Sequence, residues 1–229
     1  MKLFNSRPDI FGLNRTHLLN NLNDLLPAVS QSLEHLQSTA LSRGIDLKPV
    51  STFRSFEAQK NIWNLKASGK RTLLNDNGEP IDFNSLKPVE VMRAILRWSA
   101  FPGLSRHHWG TDLDVIDQNY LNTNPDYKVQ LIPSEYQKGG PFADLGDFLN
   151  HELQDSDFFR PYEIDRDGVA PEPWHLSHKL SVKNFNNFKI QDFLDFLDSP
   201  HCEDIELLDA VKEEAEFIFI NYFVNISSP

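Results

Sequence analysis

The stretch Ser105-Arg106-His107-His108-Trp109-Gly110-Thr111-Asp112-Leu113-Asp114-Val115-Ile116 concentrates most of what this chain reveals about itself. From Thr111 to Ile116 polar and apolar residues alternate. In an extended segment Asp112 and Asp114 then face one way while Leu113 and Val115 face the other. A strand here buries its apolar side and lines a cavity with carboxylates. Gly110 permits a tight turn that folds His107 back toward Asp114.

Upstream of this strand the pattern is largely helical. From Thr16 to Arg43, Leu18, Leu22, Leu25, Val29, Leu33, Leu36 and Ala40 recur at helical spacing. Pro27 is a point where that stretch can split in two, and Gly44 suits its end. Ile45–Phe53 reads as a strand. Ser55 is an N-cap for a helix that carries Phe56, Ile62, Trp63 and Ala67. Residues 71–85 are polar, with the turn signal Asn75-Asp76-Asn77-Gly78. A further helix is predicted from Pro88 to Ser99, ended by Phe101-Pro102-Gly103.

Downstream, Val129, Leu131 and Pro133 suggest an edge strand, because proline cannot donate to a ladder. Gly139-Gly140-Pro141 opens a helix that turns Phe142, Leu145, Phe148, Leu149 and Leu153 inward. Phe158–Ile164 and Val169–Ser177 read as extended, and two helices close the chain over Ile190–Leu197 and Asp204–Val224. Helices at both ends with short strands between them predict an α+β fold. The expected division is a helical segment over residues 1–44, a core over 45–180 and a helical extension over 181–229.

Composition limits the function classes. The 229 residues carry 33 acidic against 22 basic side chains, a formal net charge of −11, with no Lys/Arg-rich run. Nucleic acid or an anionic lipid surface is therefore not the expected partner. A chain of this size buries a core without help from a structural metal, so a metal site here is expected to be functional. The single Cys202 excludes an intramolecular disulfide. The N-terminus lacks the apolar run of a secretory signal and no window suggests a membrane span. The expectation is a cytoplasmic protein, or a periplasmic one if a leader has been removed.

Two segments hold metal-ligating residue types: the one quoted above, and Glu172-Pro173-Trp174-His175. Catalytic zinc takes three His or carboxylate ligands at about 2.0–2.2 Å and keeps a fourth position for water. His107, Asp114 and His175 supply such a set. Zinc acidifies its bound water, and peptide hydrolysis also needs a general base, for which Glu172 is the candidate. Positions three apart in a regular strand point to opposite faces, so Glu172 and His175 meet only if the backbone bends. Pro171 and Pro173 predict an irregular backbone there, and they argue against a helix that would stack His175 on His178. Taken singly, Asp114 also suits a turn, Glu172 a solvated face and Arg54 a surface ion pair. His108 is expected to be structural. Trp109, Trp174, Phe158, Phe159 and Tyr162 are read as core or pocket wall.

The pattern Ser105-x-His107-x-x-Gly110-x-x-x-Asp114, followed by Glu172-x-Trp174-His175, resembles the M15 zinc peptidases. These are D-alanyl-D-alanine carboxypeptidases and dipeptidases, and the group includes VanY-like enzymes of the LAS type and L,D-carboxypeptidases. Ser51-Thr52-Phe53-Arg54-Ser55 with Gln59 is similar to a third motif of that family. The resemblance runs from about Ser51 to His175 and leaves both terminal helical segments outside. It implies a small antiparallel sheet with flanking helices, like that of the hedgehog and D,D-peptidase folds, in a single domain. It implies Zn2+ on His107, Asp114 and His175, with Glu172 as base and Arg54 holding the oxyanion. Gln59 and Ser105 become candidate contacts to substrate or to ligand side chains. The chain departs from the family at Asp112, where a small residue is usual. Asp112 either orients a ligand histidine or pairs with a cationic group of the substrate.

The implied activity is release of a terminal D-amino acid from a peptidoglycan precursor or muropeptide. D,D or L,D specificity, peptide length and oligomeric state are left open. A phage-type endopeptidase is the alternative within the same chemistry. A non-catalytic zinc-containing binding module is the alternative outside it, disfavoured because all four key positions are intact.

Overall fold

Pro27 opens the first long helix and does not divide it, since at the first helical position its missing N–H is no loss. The computed structural model describes residues 2–18, 24–185 and 187–229. Leu22, part of the expected helical run, lies outside them. A one-turn helix α1 (Leu3–Ser6) and a 3-10 turn at Thr16–Leu18 precede α2 (Pro27–Ser42). Strand β1 (Leu47–Ser51) leads to α3 (Phe56–Ala67), whose N-cap is Ser55, with its hydroxyl accepting from the Ala58 N–H. The polar stretch with the turn signal contains a small hairpin, β2 (Leu73–Leu74) and β3 (Pro80–Ile81). Its turn is stabilised by Asn75 Oδ1, which accepts from the N–H groups of Asn77 and Glu79.

Helix α4 (Pro88–Trp98) is followed by a 3-10 turn at Arg106–Trp109 and by β4 (Asp112–Asp117). Then come α5 (Gln118–Thr123), α6 (Ala143–Glu152), β5 (Phe158–Phe159) and β6 (His175–His178). Beyond the sheet lie α7 (Ile190–Leu197), α8 (Leu208–Glu213), α9 (Ala215–Ile218) and a π-helical turn at Phe219–Val224. No described helix is long and apolar enough to cross a membrane.

The main sheet has the order β1-β4-β6-β5, and every pair in it is antiparallel. Pro49 is tolerated because β1 is an edge strand. One face of the sheet packs Leu47, Leu113, Val115 and Leu176 against Val29, Leu33 and Leu36 of α2 and Leu145, Phe148 and Leu149 of α6. Each such side chain, fully buried, contributes about 1.5–3 kcal/mol of transfer free energy. A second core joins α3, α4 and α7 with the C-terminal helices, through Trp63, Met92, Ile95, Phe193, Phe196 and Phe219. The antiparallel sheet with flanking helices is the α+β class expected.

Three expectations need correction. The predicted edge strand at Val129–Pro133 is a loop ending in a 3-10 turn at Pro133–Tyr136. Buried Glu135 collects the N–H groups of Gln130, Leu131 and Ile132 at 3.0, 2.7 and 3.3 Å, so these donors cannot serve a ladder. The extended runs at 158–164 and 169–177 keep strand structure only at Phe158–Phe159 and His175–His178. Pro161, Pro171 and Pro173 lack donors, and two further N–H groups pair outside a ladder: Ala170 with Arg97 O and Glu172 with Tyr162 O. The long closing helix over 204–224 is broken at Glu214 and ends in the π-helical turn. That turn packs against Gly168, where a Cβ would lie 2.0 Å from the Asn221 carbonyl oxygen.

Candidate active site

Strand pairing brings the two distant sequence segments together. In the β4–β6 register Asp114 lies directly opposite His175. His107 reaches them from the preceding 3-10 turn, because Gly110 takes a left-handed φ of +66° and reverses the chain between them. A side chain at Gly110 would also strike Leu18, with Cβ 2.5 Å from its Cδ2. The bend required between Glu172 and His175 is present. His175 N–H donates to Glu172 O at 3.2 Å, and Glu172 Oε2 lies 3.3 Å from His175 Nδ1.

His107, Asp114 and His175 are all buried and offer ligand atoms within 4.8 Å of one another. His107 Nε2 is 3.4 Å from Asp114 Oδ2, and His175 Nδ1 is 3.2 Å from Asp114 Oδ1. The ring nitrogens facing away are occupied. His107 Nδ1–H donates to the Thr52 carbonyl at 2.8 Å, and His175 Nε2–H donates to Asp112 Oδ1 at 3.0 Å. Each tautomer therefore turns a lone pair toward Asp114. Asp114 Oδ1 is buried without a hydrogen-bond partner. An orphaned carboxylate oxygen between two inward lone pairs fits a divalent cation, and two imidazoles with one carboxylate is a donor set suited to zinc.

The electrostatics agree. Burial by itself would raise the Asp114 pKa, but His107 and His175 outweigh it and hold the carboxyl far below its usual range. Burial likewise disfavours a charged His175. The carboxylates of Asp112, Asp114 and Glu172 around it prevail and raise its pKa well above the ordinary imidazole value, so the inward Nδ1 is a position for which a proton and a metal cation compete. The pocket draws positive charge to its centre.

Arg54 stands beside this cluster, with Nη2 4.0 Å from Asp114 Oδ2. Nη1 donates to Gln59 Oε1 at 2.9 Å and Nη2 to Ser51 Oγ at 2.8 Å. Gln59 is anchored in turn, its Nε2 donating to the Ala100 carbonyl at 2.7 Å. His108 holds the Arg54 backbone: it accepts the Gly103 N–H on Nε2 at 3.1 Å and donates from Nδ1 to Arg54 O at 2.6 Å. Burial pushes its pKa down to about 3, keeping it neutral, consistent with the structural part expected of it.

Two residues expected to contact substrate sit behind the wall. Gln59 and Asp112 are fully buried, and neither lines the cavity. Asp112 is held by three donors: Oδ1 accepts from Arg106 Nε at 2.8 Å as well as from His175, and Oδ2 accepts from the Thr111 hydroxyl. Of the two roles considered for Asp112, this geometry matches orientation of His175, and complete burial behind the wall keeps its carboxylate from a substrate cation. Ser105 does line the cavity.

Sequence reasoning did not single out Arg106. It is buried, lies over the Trp109 ring at 4.8 Å, donates to Ser177 Oγ at 2.6 Å and borders the cavity. Its place between Ser105 and His107 was the available signal. Tyr162 packs edge-on to His175 with ring centroids 5.1 Å apart and lines the same cavity. That cavity has a volume of about 440 Å³ and is lined as well by Lys66, Arg71 and the 129–131 loop.

Comparison with known proteins points the same way. Residues 23–180 match the family model VanY, D-alanyl-D-alanine carboxypeptidase. Two uncharacterized proteins of Haemophilus influenzae (strain Rd) are 40% identical over 95 residues and 42% identical over 76 residues. These alignments cover 42% and 32% of this chain and 64% and 56% of the relatives, so less than two thirds of either relative is spanned. Among solved structures, the vancomycin-resistance D,D-pentapeptidase VanY from a VanB-type resistance cassette, in complex with Zn(II), is similar in fold. Its TM-score is 0.50 at 20% identity, over 73% of this chain and 82% of that one. The family match extends over more than half of the residues and encloses all three motifs, so the chain belongs to the VanY family of D-alanyl-D-alanine carboxypeptidases.

Proposed function

We propose that this chain is a zinc-dependent carboxypeptidase that releases a terminal D-amino acid from peptidoglycan-type peptides, with His107, Asp114 and His175 as the metal ligands. The observation that carries the reading is Asp114 Oδ1, buried and unpartnered between the inward-facing nitrogens of His107 and His175. When bound, Zn(II) acidifies a water and polarises the substrate carbonyl.

The remaining work falls to the chain's own side chains. Glu172, whose carboxylate lies 3.3 Å from His175 Nδ1, takes the proton of the attacking water and returns it to the leaving amine. Arg54, held by Ser51 and Gln59, presents a fixed guanidinium to the oxyanion as the carbonyl is attacked. Charge aimed at a developing oxyanion in a desolvated site stabilises the transition state more than the ground state. Asp112 keeps His175 in the ligating tautomer. Tyr162 covers one face of the His175 ring and limits water access.

The test combines elemental analysis of purified protein with assays on defined penta- and tetrapeptides, following D-alanine release with and without chelator. One equivalent of zinc and chelator-sensitive release are expected. Release from the pentapeptide alone identifies a D,D enzyme and from the tetrapeptide alone an L,D enzyme. Glu172→Gln is expected to retain zinc and to lose about a hundredfold to ten-thousandfold in kcat. Full turnover by that variant removes Glu172 from the mechanism.

A further inference from the structure

The cavity wall reverses the charge balance of the molecule. Acidic residues outnumber basic ones in the chain as a whole, 33 to 22. The cavity lining holds four cations, Arg54, Lys66, Arg71 and Arg106, against the two carboxylates Asp114 and Glu172. Arg106 is neutralised by Asp112 behind the wall, and Arg54 stands against Asp114. Lys66 and Arg71 remain, and among the described residues neither has a carboxylate or hydrogen-bond partner for its side chain.

Lys66 sits in the last turn of α3, and Arg71 lies just before β2. Side chains on a helix lean toward its N-terminus, which carries the Lys66 ammonium back along α3 toward Arg54. The charges of Arg71, Glu172 and Arg54 all reach Lys66. Burial, joined by repulsion from Arg71 and Arg54, pulls its pKa down to about 8. A half-buried ammonium held next to like charge is a liability for the empty protein that an incoming anion relieves.

We infer that Lys66 and Arg71 form a carboxylate-binding subsite in the wall of the cavity that also holds His107, Asp114 and His175, within reach of the charges of Arg54 and Glu172. It receives a free carboxylate of the peptide whose scissile bond lies at the metal cluster. The inference rests on the peptidase reading above and adds to it the chemical class that this wall selects. Arg71 offers a planar fork matched to a carboxylate, and Lys66 offers a point charge in a partly desolvated position. Two sources carry this chemistry: the C-terminal carboxylate and an acidic side chain of the peptide.

The experiment uses the full zinc-loaded chain and two peptide pairs. One pair is acetyl-Lys-D-Ala-D-Ala as free acid and as C-terminal amide. The other carries a glutamyl or a glutaminyl residue at the first position. Binding by calorimetry and KM against kcat in hydrolysis are both read. Wild type is expected to prefer one acid form over its amide. Lys66→Gln and Arg71→Gln each weaken binding of that form about tenfold or more and shrink the acid-to-amide ratio, with the loss in KM rather than kcat. Lys66→Arg restores the ratio.

The pair that loses its discrimination identifies which carboxylate is bound. Equal affinity of wild type for the acid and amide forms of both pairs overturns the subsite. So does an unchanged ratio in both variants with native melting temperatures. Acid-selective binding without any hydrolysis removes the peptidase reading and leaves the subsite standing. Should a variant fail to fold, a salt titration of wild type decides, since acid-selective binding must weaken as ionic strength rises.

Discussion

Two parts of the cavity wall, one built on β4 and β6 and the other on α3 and the hairpin, follow opposite plans. At the β4–β6 end nearly every polar group is fastened: Arg54 by Ser51 and Gln59, His107 by the Thr52 carbonyl, His175 by Asp112, and Asp112 by Arg106 and Thr111. The exception is Asp114 Oδ1, the atom at the centre of the donor cluster. At the α3 end Lys66, on a helix terminus, and Arg71, beside a hairpin of two-residue strands, have no side-chain partner among the described residues. Chemistry requires groups held at fixed distances before the substrate arrives, because reorganisation during the reaction raises the barrier. Recognition of a charged substituent requires only that opposite charge be available. The contrast separates residues whose loss slows turnover from residues whose loss weakens binding.

That separation can be broken at several points. After Glu172→Gln, the largest effect is expected at Arg54, where replacement by Met should lower kcat about a hundredfold to a thousandfold with zinc content intact. A change confined to KM would move Arg54 from the fastened end to the recognising one. Next is Asp112→Ala. The buried Arg106 loses its partner and His175 its tautomer lock. Zinc affinity should fall about 10- to 100-fold, and stability by about 3–5 kcal/mol. Unchanged zinc affinity in a competition assay would mean that His175 is oriented without Asp112.

The smallest effect concerns Lys66 without ligand. Unfolded lysine keeps its proton up to its ordinary pKa of 10.5, whereas burial makes the folded group release it near 8. Between those values the unfolded chain binds more protons, so raising the pH stabilises the folded state, and the gain is lost again as pH falls through 8. Wild type should gain on the order of 1 kcal/mol across this window after allowance for solvent screening, and Lys66→Gln should lose that increment. Parallel stability profiles from denaturant melts at pH 7.5 and 10.5 would show that the Lys66 ammonium is fully solvated.

The sequence by itself determined the fastened end almost completely. Alternation along Asp112–Asp117 put the carboxylates on one face because a strand has a two-residue period, and Gly110 marked the reversal that returns His107. The Ser55 cap and the prolines at 171 and 173 announced the helix start and the bend that the site uses. These signals are local, so neighbours in the chain suffice to read them. Only the tertiary structure decided what lies behind and across from them. Gln59 and Asp112 became supports for Arg54 and His175 because the chain folds over them and removes them from the cavity. Glu135 captured three backbone donors and made a cavity-lining loop of a segment patterned like a strand. Lys66 and Arg71 reached the His/Asp cluster's cavity through the packing of α3 and the hairpin. Contacts between residues far apart in sequence leave no periodicity to read, since their selection depends on which surfaces the cores bring face to face.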